Sequence, residues 1–225
     1  MKNSKADIFY GIQPLLAILA MWVTQDIAMR FFFRRKTILG KENILSLKGS
    51  LILAPTHRSR WDGLLLTHAF GRRETKKDCR FMVTNPEMIG IQGWFLRRLG
   101  CFSINQDSPS LSSLRHALNL IMTKKQLVIF PEGKINKHGK ILPLKQGLFR
   151  LARLAKKKGT AVNIVPIGIA YDNVTPRFRG KVALCIEEPL DINSFSKVSI
   201  EEFNTLLRKR INNAELKALN HVGRL

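Results

Sequence analysis

The sequence predicts an α/β domain, a mostly parallel sheet flanked by helices. Two observations carry that expectation. Short runs rich in Val, Ile, Leu and Phe, bounded by breakers, recur along the chain, and stretches with helical spacing of apolar residues lie between them. Strands separated by helices return to one sheet in parallel, with both faces covered. A third observation sets the scale: 225 residues, 45% of them hydrophobic, suffice for one sizeable core.

The expected strands are residues 50–55, 80–84, 126–130, 161–170 and 181–187. Helices are expected at 63–70, 91–99, 111–124 and 145–158, with a last amphipathic one from 199 to about 219. Ahead of them Ile8, Ile12, Leu15, Leu16, Leu19 and Val23 recur at helical spacing. A second apolar patch, Ile27, Met29 and Phe31 to Phe33, then runs into Arg34, Arg35 and Lys36, with Arg30 close by. The uninterrupted apolar stretch, Leu15 to Val23, falls short of the ~18 to 20 residues that span a bilayer, so a simple transmembrane anchor is not expected. Apolar and aromatic side chains beside a basic cluster fit a helix lying in the headgroup layer of an anionic membrane. A core helix followed by a solvated basic turn fits this segment equally well. Asp7, in the would-be basic region, and the lack of a small-x-small site argue against a signal peptide. The chain therefore divides into an N-terminal interfacial helical segment, 1–36, and an α/β domain, 37–225, with no repeat or low-complexity tract.

Charge narrows the partner. Against 16 Asp and Glu stand 38 Lys and Arg, a net +22, which favours a polyanion, either nucleic acid or anionic lipid. No helix-turn-helix spacing, RNP-like aromatic run or zinc knuckle is present, so no nucleic acid is expected and an anionic membrane surface is. Cys79, Cys101 and Cys185 are an odd count without metal-ligand spacing, which points to a reducing compartment. The five histidines form no zinc motif, and no metal is expected.

The stretch THRSRWD, Thr56 to Asp62, follows the first strand directly. His57 then emerges at the strand's carboxyl end, Ser59 caps a helix beginning about Arg60, and Asp62 falls in its first turn. On one continuous helix a five-residue offset of ~140° keeps the two apart. With His57 in the loop, the imidazole can fold back to the carboxylate, which holds one ring nitrogen protonated and leaves the other as a base. No G-x-S-x-G elbow surrounds Ser59, so the hydroxyl that the base deprotonates has to come from a substrate.

A second constellation, FPEGKINKHGK, follows the strand at 126–130. Carboxyl ends of parallel strands open onto one edge, so His57 and Glu132 should share a crevice. Gly133 allows close backbone approach, and Lys134, Lys137 and Lys140 supply positive charge. Lys145 and Arg150 add to it at the start of the next helix. One base among many cations suits an acceptor that carries phosphate.

These residues bear a resemblance. HRSRWD matches the histidine, four residues, aspartate motif of the glycerophospholipid acyltransferases, and FPEGK, Phe130 to Lys134, resembles their Phe-Pro-Glu-Gly motif. LPLKQGLFRLA and IVPIGIA resemble the stretches that follow it, in the right order over residues 36–188. The resemblance is to the 1-acylglycerol-3-phosphate acyltransferases of bacteria and plastids. It implies transfer of a fatty acyl group from a thioester, acyl-CoA or acyl carrier protein, to the free hydroxyl of a lysophospholipid, in phospholipid biosynthesis, and it implies no cofactor beyond that thioester co-substrate. It implies His57 as base, Asp62 as its orienting partner, Glu132 and Gly133 shaping the acceptor site, and backbone amides on the oxyanion. It also implies association with a membrane, at the cytoplasmic face of a bacterial inner membrane or a plastid membrane.

Departures fall where the acceptor phosphate would be held. In GCFSINQ, Gln106 stands where the family has an arginine, and Ile135 follows Pro-Glu-Gly-Lys where the family has Thr-Arg-Ser. A lysine is also missing from VTNPEM. Arg60, Arg97, Arg98, Lys134 and Lys137 are the cations available to replace them, with Lys145 near. Three other readings compete: an acyltransferase acting on a different lysolipid acceptor, a basic nucleic-acid or membrane-binding module, and a thioesterase that hands the acyl group to water.

Overall fold

Alternation along a single strand, Ser50–Pro55, decides how the sheet is covered: Ile52 and Ala54 enter one apolar layer and Leu53 the other. The computed structural model describes residues 11–45, 47, 49–106, 108–195 and 198–225. Its strands are β1 (Phe33–Leu39), β2 (Ser50–Pro55), β3 (Cys79–Thr84), β4 (Phe102–Ile104), β5 (Gln126–Val128), β6 (Val162–Tyr171), β7 (Gly180–Ile186) and β8 (Leu190–Asp191). The longer helices are α1 (Pro14–Phe32), α2 (Asp62–Phe70), α3 (Gly90–Arg98), α4 (Leu111–Met122), α5 (Gly147–Lys157) and α6 (Ile200–Val222).

The strands order as β1-β7-β6-β2-β5-β3-β4, with β8 on β6. From β6 to β4 all neighbours are parallel, whereas β7 and β8 run antiparallel to β6. The mostly parallel α/β sheet that the alternation predicts is thus the fold. One face is covered by α4, α5 and α6 through Ala117, Ile121, Phe149, Ala152, Phe203 and Leu207. The other is covered by α2, through Leu65, Leu66, Ala69 and Phe70, together with Met29 of α1. Helix α6 lies directly on β6, where a Cβ on Gly168 would come within 2.1 Å of the Glu215 amide nitrogen. Only glycine permits that approach, and it brings Glu215 to the sheet. A capping box between Ser199 and Glu202 starts α6.

Two expectations about the N-terminal third need correction. Residues 34–36 are not a basic turn, because β1 begins at Phe33 and pairs in parallel with β7, running across the expected boundary at 36. Phe33 is buried against Tyr171 and Trp61, while Arg34 and Arg35 are exposed, as cations on an edge strand are. Helix α1 is also longer than its apolar run: 19 residues, 11% buried, long and apolar enough by length and composition to cross a membrane. It continues through Thr24, Gln25 and Asp26 because their polar groups are satisfied. The Thr24 hydroxyl donates to Ala20 O (2.6 Å), Gln25 donates to Thr67 O (3.2 Å), and Asp26 pairs with Arg73. A π-helical stretch, Trp22–Ala28, lies within it. Ile8, the first residue of the expected helix, lies outside the described residues.

Candidate active site

Strand β2 delivers His57 to the edge of the sheet. Its ladder continues one residue past Pro55, with Thr56 N donating to Ile167 O (2.9 Å) and Thr56 Oγ1 accepting from Ile169 N (2.9 Å). The chain then turns, and α2 starts at Asp62 rather than at Arg60. Trp61, the residue before it, makes no side-chain bond to the helix, and Ser59 Oγ accepts from Trp61 N (3.2 Å). That bond is the one expected of a serine cap, and the Asp62 carboxylate reaches back to the loop amides, the Ser59 amide among them. Its Oδ2 accepts from Arg58 N (2.6 Å) and Ser59 N (2.8 Å), and His57 Nδ1 lies 2.9 Å from the same oxygen. Oδ1 accepts from the Tyr171 hydroxyl at 2.6 Å.

Asp62 is fully buried, whereas the His57 side chain keeps 19% exposure. An ionised carboxylate only accepts, so Nδ1 carries the ring proton and Nε2 presents a lone pair. The Phe130 ring stacks on the imidazole, centroids 3.9 Å apart and planes 22° from parallel, which fixes its orientation. Phe130 arrives from β5, the neighbour of β2, and the two loops are joined where Asn136 N donates to His57 O (2.7 Å).

Burial separates the two charged residues that follow His57 and Phe130. The Arg58 guanidinium reaches Glu132 through Nη1 (2.8 and 2.9 Å) and Glu215 of α6 through Nη2 (2.7 Å), with Nε also on Glu215. Burial alone would lower Arg58, but its bonds to Glu215 and Glu132 hold it above the usual arginine value. Burial pushes the Glu132 carboxyl up, opposed by Arg58 and Asn136. Arg58 thereby ties the histidine loop to α6, and Glu132 holds the other side of its guanidinium. Glu132 lines a smaller cavity of about 290 Å³ together with Lys137, Lys140 and Arg208.

His57 opens on a different, larger cavity of about 1020 Å³. Arg60, Gln106, Gly133, Lys134, Lys145 and Arg150 also line it, beside apolar residues such as Leu64, Phe81, Met82, Leu96 and Ile129. Gly133 holds φ +73°, and a Cβ there would lie 2.9 Å from Gln106 Oε1, whose amide Nε2 donates to Gly133 O (2.5 Å). Among the described residues no cluster of His, Cys, Asp and Glu could hold a metal ion. Burial pushes the Cys101 thiol up to about 12 and Cys79 higher still, so neither is poised as a nucleophile.

Residues 35–170 match the Acyltransferase family. The chain belongs to this acyltransferase family. It is 26% identical to the 1-acyl-sn-glycerol-3-phosphate acyltransferase of Streptococcus pneumoniae over 163 residues, 70% of this chain and 56% of that protein. It is 31% identical to the glycerol-3-phosphate acyltransferase of Alteromonas mediterranea over 137 residues, 55% of this chain and 16% of that one. The chain thus spans just over half the length of the first relative and a small part of the second. Among solved structures, the 1-acyl-sn-glycerophosphate acyltransferase of Thermotoga maritima superposes with a TM-score of 0.63 at 23% identity, covering 89% of this chain and 79% of that one.

Against the expected site of this family member, the structure brings His57, Gly133, Lys134 and Lys145 around one cavity, holds Asp62 buried behind His57, and turns Glu132 and Lys137 towards the other. Arg60 lines the larger cavity but is 73% exposed and bonded to Glu87 (3.1 Å). Arg97 and Arg98 are not among its lining residues: Arg97 donates to Met88 O, and Arg98 sits 3.8 Å over the Trp94 ring. The contacts of Tyr171, Arg58 and Phe130 are not ones that the two motifs predict. Tyr171 had a signal, since it directly follows IVPIGIA at the carboxyl end of a strand. Glu215 had none.

Proposed function

We propose that this protein transfers a fatty acyl group from an acyl thioester, acyl-CoA or acyl carrier protein, to the free hydroxyl of a lysophospholipid. The acceptor that fits best is 1-acylglycerol-3-phosphate, giving phosphatidic acid. The observation that carries the reading is the His57–Asp62 pair facing a large cavity lined by both apolar side chains and cations. An amphiphile with a phosphate has the matching chemistry, and the names of both bacterial relatives, 1-acyl-sn-glycerol-3-phosphate acyltransferase and glycerol-3-phosphate acyltransferase, contain a glycerol 3-phosphate group.

The acceptor hydroxyl donates to His57 Nε2, which takes its proton as the oxygen attacks the thioester carbonyl carbon. Asp62 stabilises the imidazolium that results. As the tetrahedral intermediate collapses, the carbon–sulfur bond breaks and the imidazolium returns the proton to the departing thiolate. Ester and free thiol are the products, with no acyl-enzyme and no added cofactor. Helix α1 rests on an anionic membrane at its cytoplasmic face. Its exposed Leu15, Ile18, Leu19 and Trp22 and the chain's net +22 support that placement.

Thiol release from acyl-CoA and from acyl carrier protein, with lysophosphatidic acid, lysophosphatidylcholine, glycerol 3-phosphate or no acceptor, tests the reading in wild type and His57→Ala. Release that needs lysophosphatidic acid and His57 is the expected result. Release without acceptor identifies a thioesterase, and a requirement for glycerol 3-phosphate moves the protein to the first acylation. Salt-sensitive nucleic-acid binding with no thiol release overturns an enzymatic role.

A further inference from the structure

The exposed apolar surface of α1 has a counterpart on α3 and the residue before it. Ile89 and Ile91 are 73% and 80% exposed, and Trp94 and Phe95 are exposed beside them. None of these four lines either cavity. The two elements are fastened together: Gln13 N, at the start of α1, donates to Arg98 O at the end of α3 (3.0 Å). Ile12 packs so closely under the next turn that a Cβ on Gly100 would lie 2.7 Å from its Cγ1.

Large apolar side chains exposed on two joined elements are unusual on a protein with no partner. Three features select lipid as that partner. Arg98 stacks on Trp94 and carries its charge beside the apolar side chains, and Arg30 is exposed at the far end of α1, the pairing of aromatics with cations that suits a headgroup layer. The whole chain is strongly cationic, at +22. The large cavity is walled by both elements, with Ala17 and Met21 from α1 and Gln92 and Leu96 from α3, so a surface that covers both stands at the cavity between them.

We propose that residues 89–95 form a second membrane contact, which with α1 seats the protein on an anionic bilayer so that the acceptor passes from lipid into the cavity. The route for the acceptor rests on the function proposed above, whereas the contact itself does not. The full chain is tested by co-sedimentation with phosphatidylcholine vesicles with and without phosphatidylglycerol. Wild type is compared with Ile89→Ser/Ile91→Ser and with Leu15→Ser/Leu19→Ser. Because Ile89 and Ile91 are exposed, their variant is expected to keep its fold, which circular dichroism checks. Its partition onto anionic vesicles should fall about tenfold or more, while thiol release with acceptor dispersed in detergent stays unchanged. Brominated lipid should quench tryptophan fluorescence less in Trp94→Phe than in wild type.

Unchanged partition of Ile89→Ser/Ile91→Ser, with quenching indifferent to Trp94→Phe, overturns the second contact. So does a lipid-free oligomer that the same changes dissociate, since a second copy then covers this face. If vesicle binding behaves as expected but wild type shows no thiol release in detergent, the function fails and the contact stands.

Discussion

The Tyr171 hydroxyl donates to Asp62 Oδ1 at 2.6 Å, from the end of β6 across to the first turn of α2, with both residues almost wholly buried. Burial, and then the Asp62 charge, pushes the phenol well above its usual value, so it stays a donor. The bond occupies the oxygen that His57 does not use and leaves the carboxylate little freedom to turn. Tyr171→Phe keeps the ring and strands a buried acceptor, at a cost of ~1–3 kcal/mol. The expected result is a kcat about tenfold lower with acceptor KM nearly unchanged, and a melting temperature lower by several degrees. Unaltered kcat would reduce Tyr171 to a space-filling role.

His57 and Asp62 should part company when each is removed. His57→Ala takes away the base from a partly exposed site and is expected to lower the rate ~10² to 10⁴-fold with little change in melting temperature. Asp62→Asn replaces one acceptor oxygen with an amide donor, although the two oxygens serve Arg58 N, Ser59 N, His57 Nδ1 and Tyr171 between them. At least one donor then faces another. Loss of activity at Asp62 should therefore come with a lower melting temperature, and thermal melts of the two variants side by side read the difference.

What could be read along the chain was what repeats locally. The alternation in SLILAP places β2 between two covered layers, and a loop histidine five residues before a helical aspartate allows the pair that the structure forms. Strand β1 was hidden because its exposed arginines resemble the basic end of an interfacial helix, and its buried face shows only once β7 lies beside it. β4 and β8, three and two residues long, are too short to show any period. The role of Glu132 was illegible for another reason. Its partner Arg58 lies 74 residues earlier, and Arg58's second partner, Glu215, is 157 residues away, on a helix brought close by Gly168.

That three-residue network makes a prediction with a pH dependence. Arg58→Met leaves Glu132 and Glu215 buried without their cation, which costs about 3–5 kcal/mol for a broken buried pair. Burial already raises the Glu132 carboxyl, and Arg58 is a main opposing influence, so its removal raises the carboxyl further. A carboxyl raised by folding favours the folded state while protonated, and that contribution is lost as pH rises through its folded value. The stability deficit of Arg58→Met should therefore be smallest near about pH 5 and grow towards about pH 8. Adding Glu132→Gln should flatten that slope, which melts across the range will show. A deficit independent of pH would mean that Glu132 does not respond to Arg58.

The cations around His57 separate two accounts of how the acceptor phosphate is held. Lys134 and Lys145 line the cavity on which His57 opens, with Arg150 beside them, whereas Lys137, three residues beyond Lys134, lines the other one. Gln106 spends its amide nitrogen on Gly133 O and holds the loop's shape. A phosphate monoester in a partly desolvated cavity needs charge-assisted donors, each worth ~1.5 to 3 kcal/mol, and each 1.4 kcal/mol is tenfold in affinity. Lys134→Gln or Lys145→Gln should then raise KM for lysophosphatidic acid about tenfold or more, with a smaller effect on the thioester donor, because only the acceptor's phosphate is unpaired. Lys137→Gln, equal in charge lost and on the same loop as Lys134, should leave KM nearly unchanged. An equal rise in all three variants would indicate attraction by net charge, which added salt would abolish. A rise confined to Lys137→Gln would place the phosphate in the smaller cavity, beyond the Arg58–Glu132 pair. The three KM values at low and high salt choose among these outcomes, because each follows from the cavity that a single lysine faces.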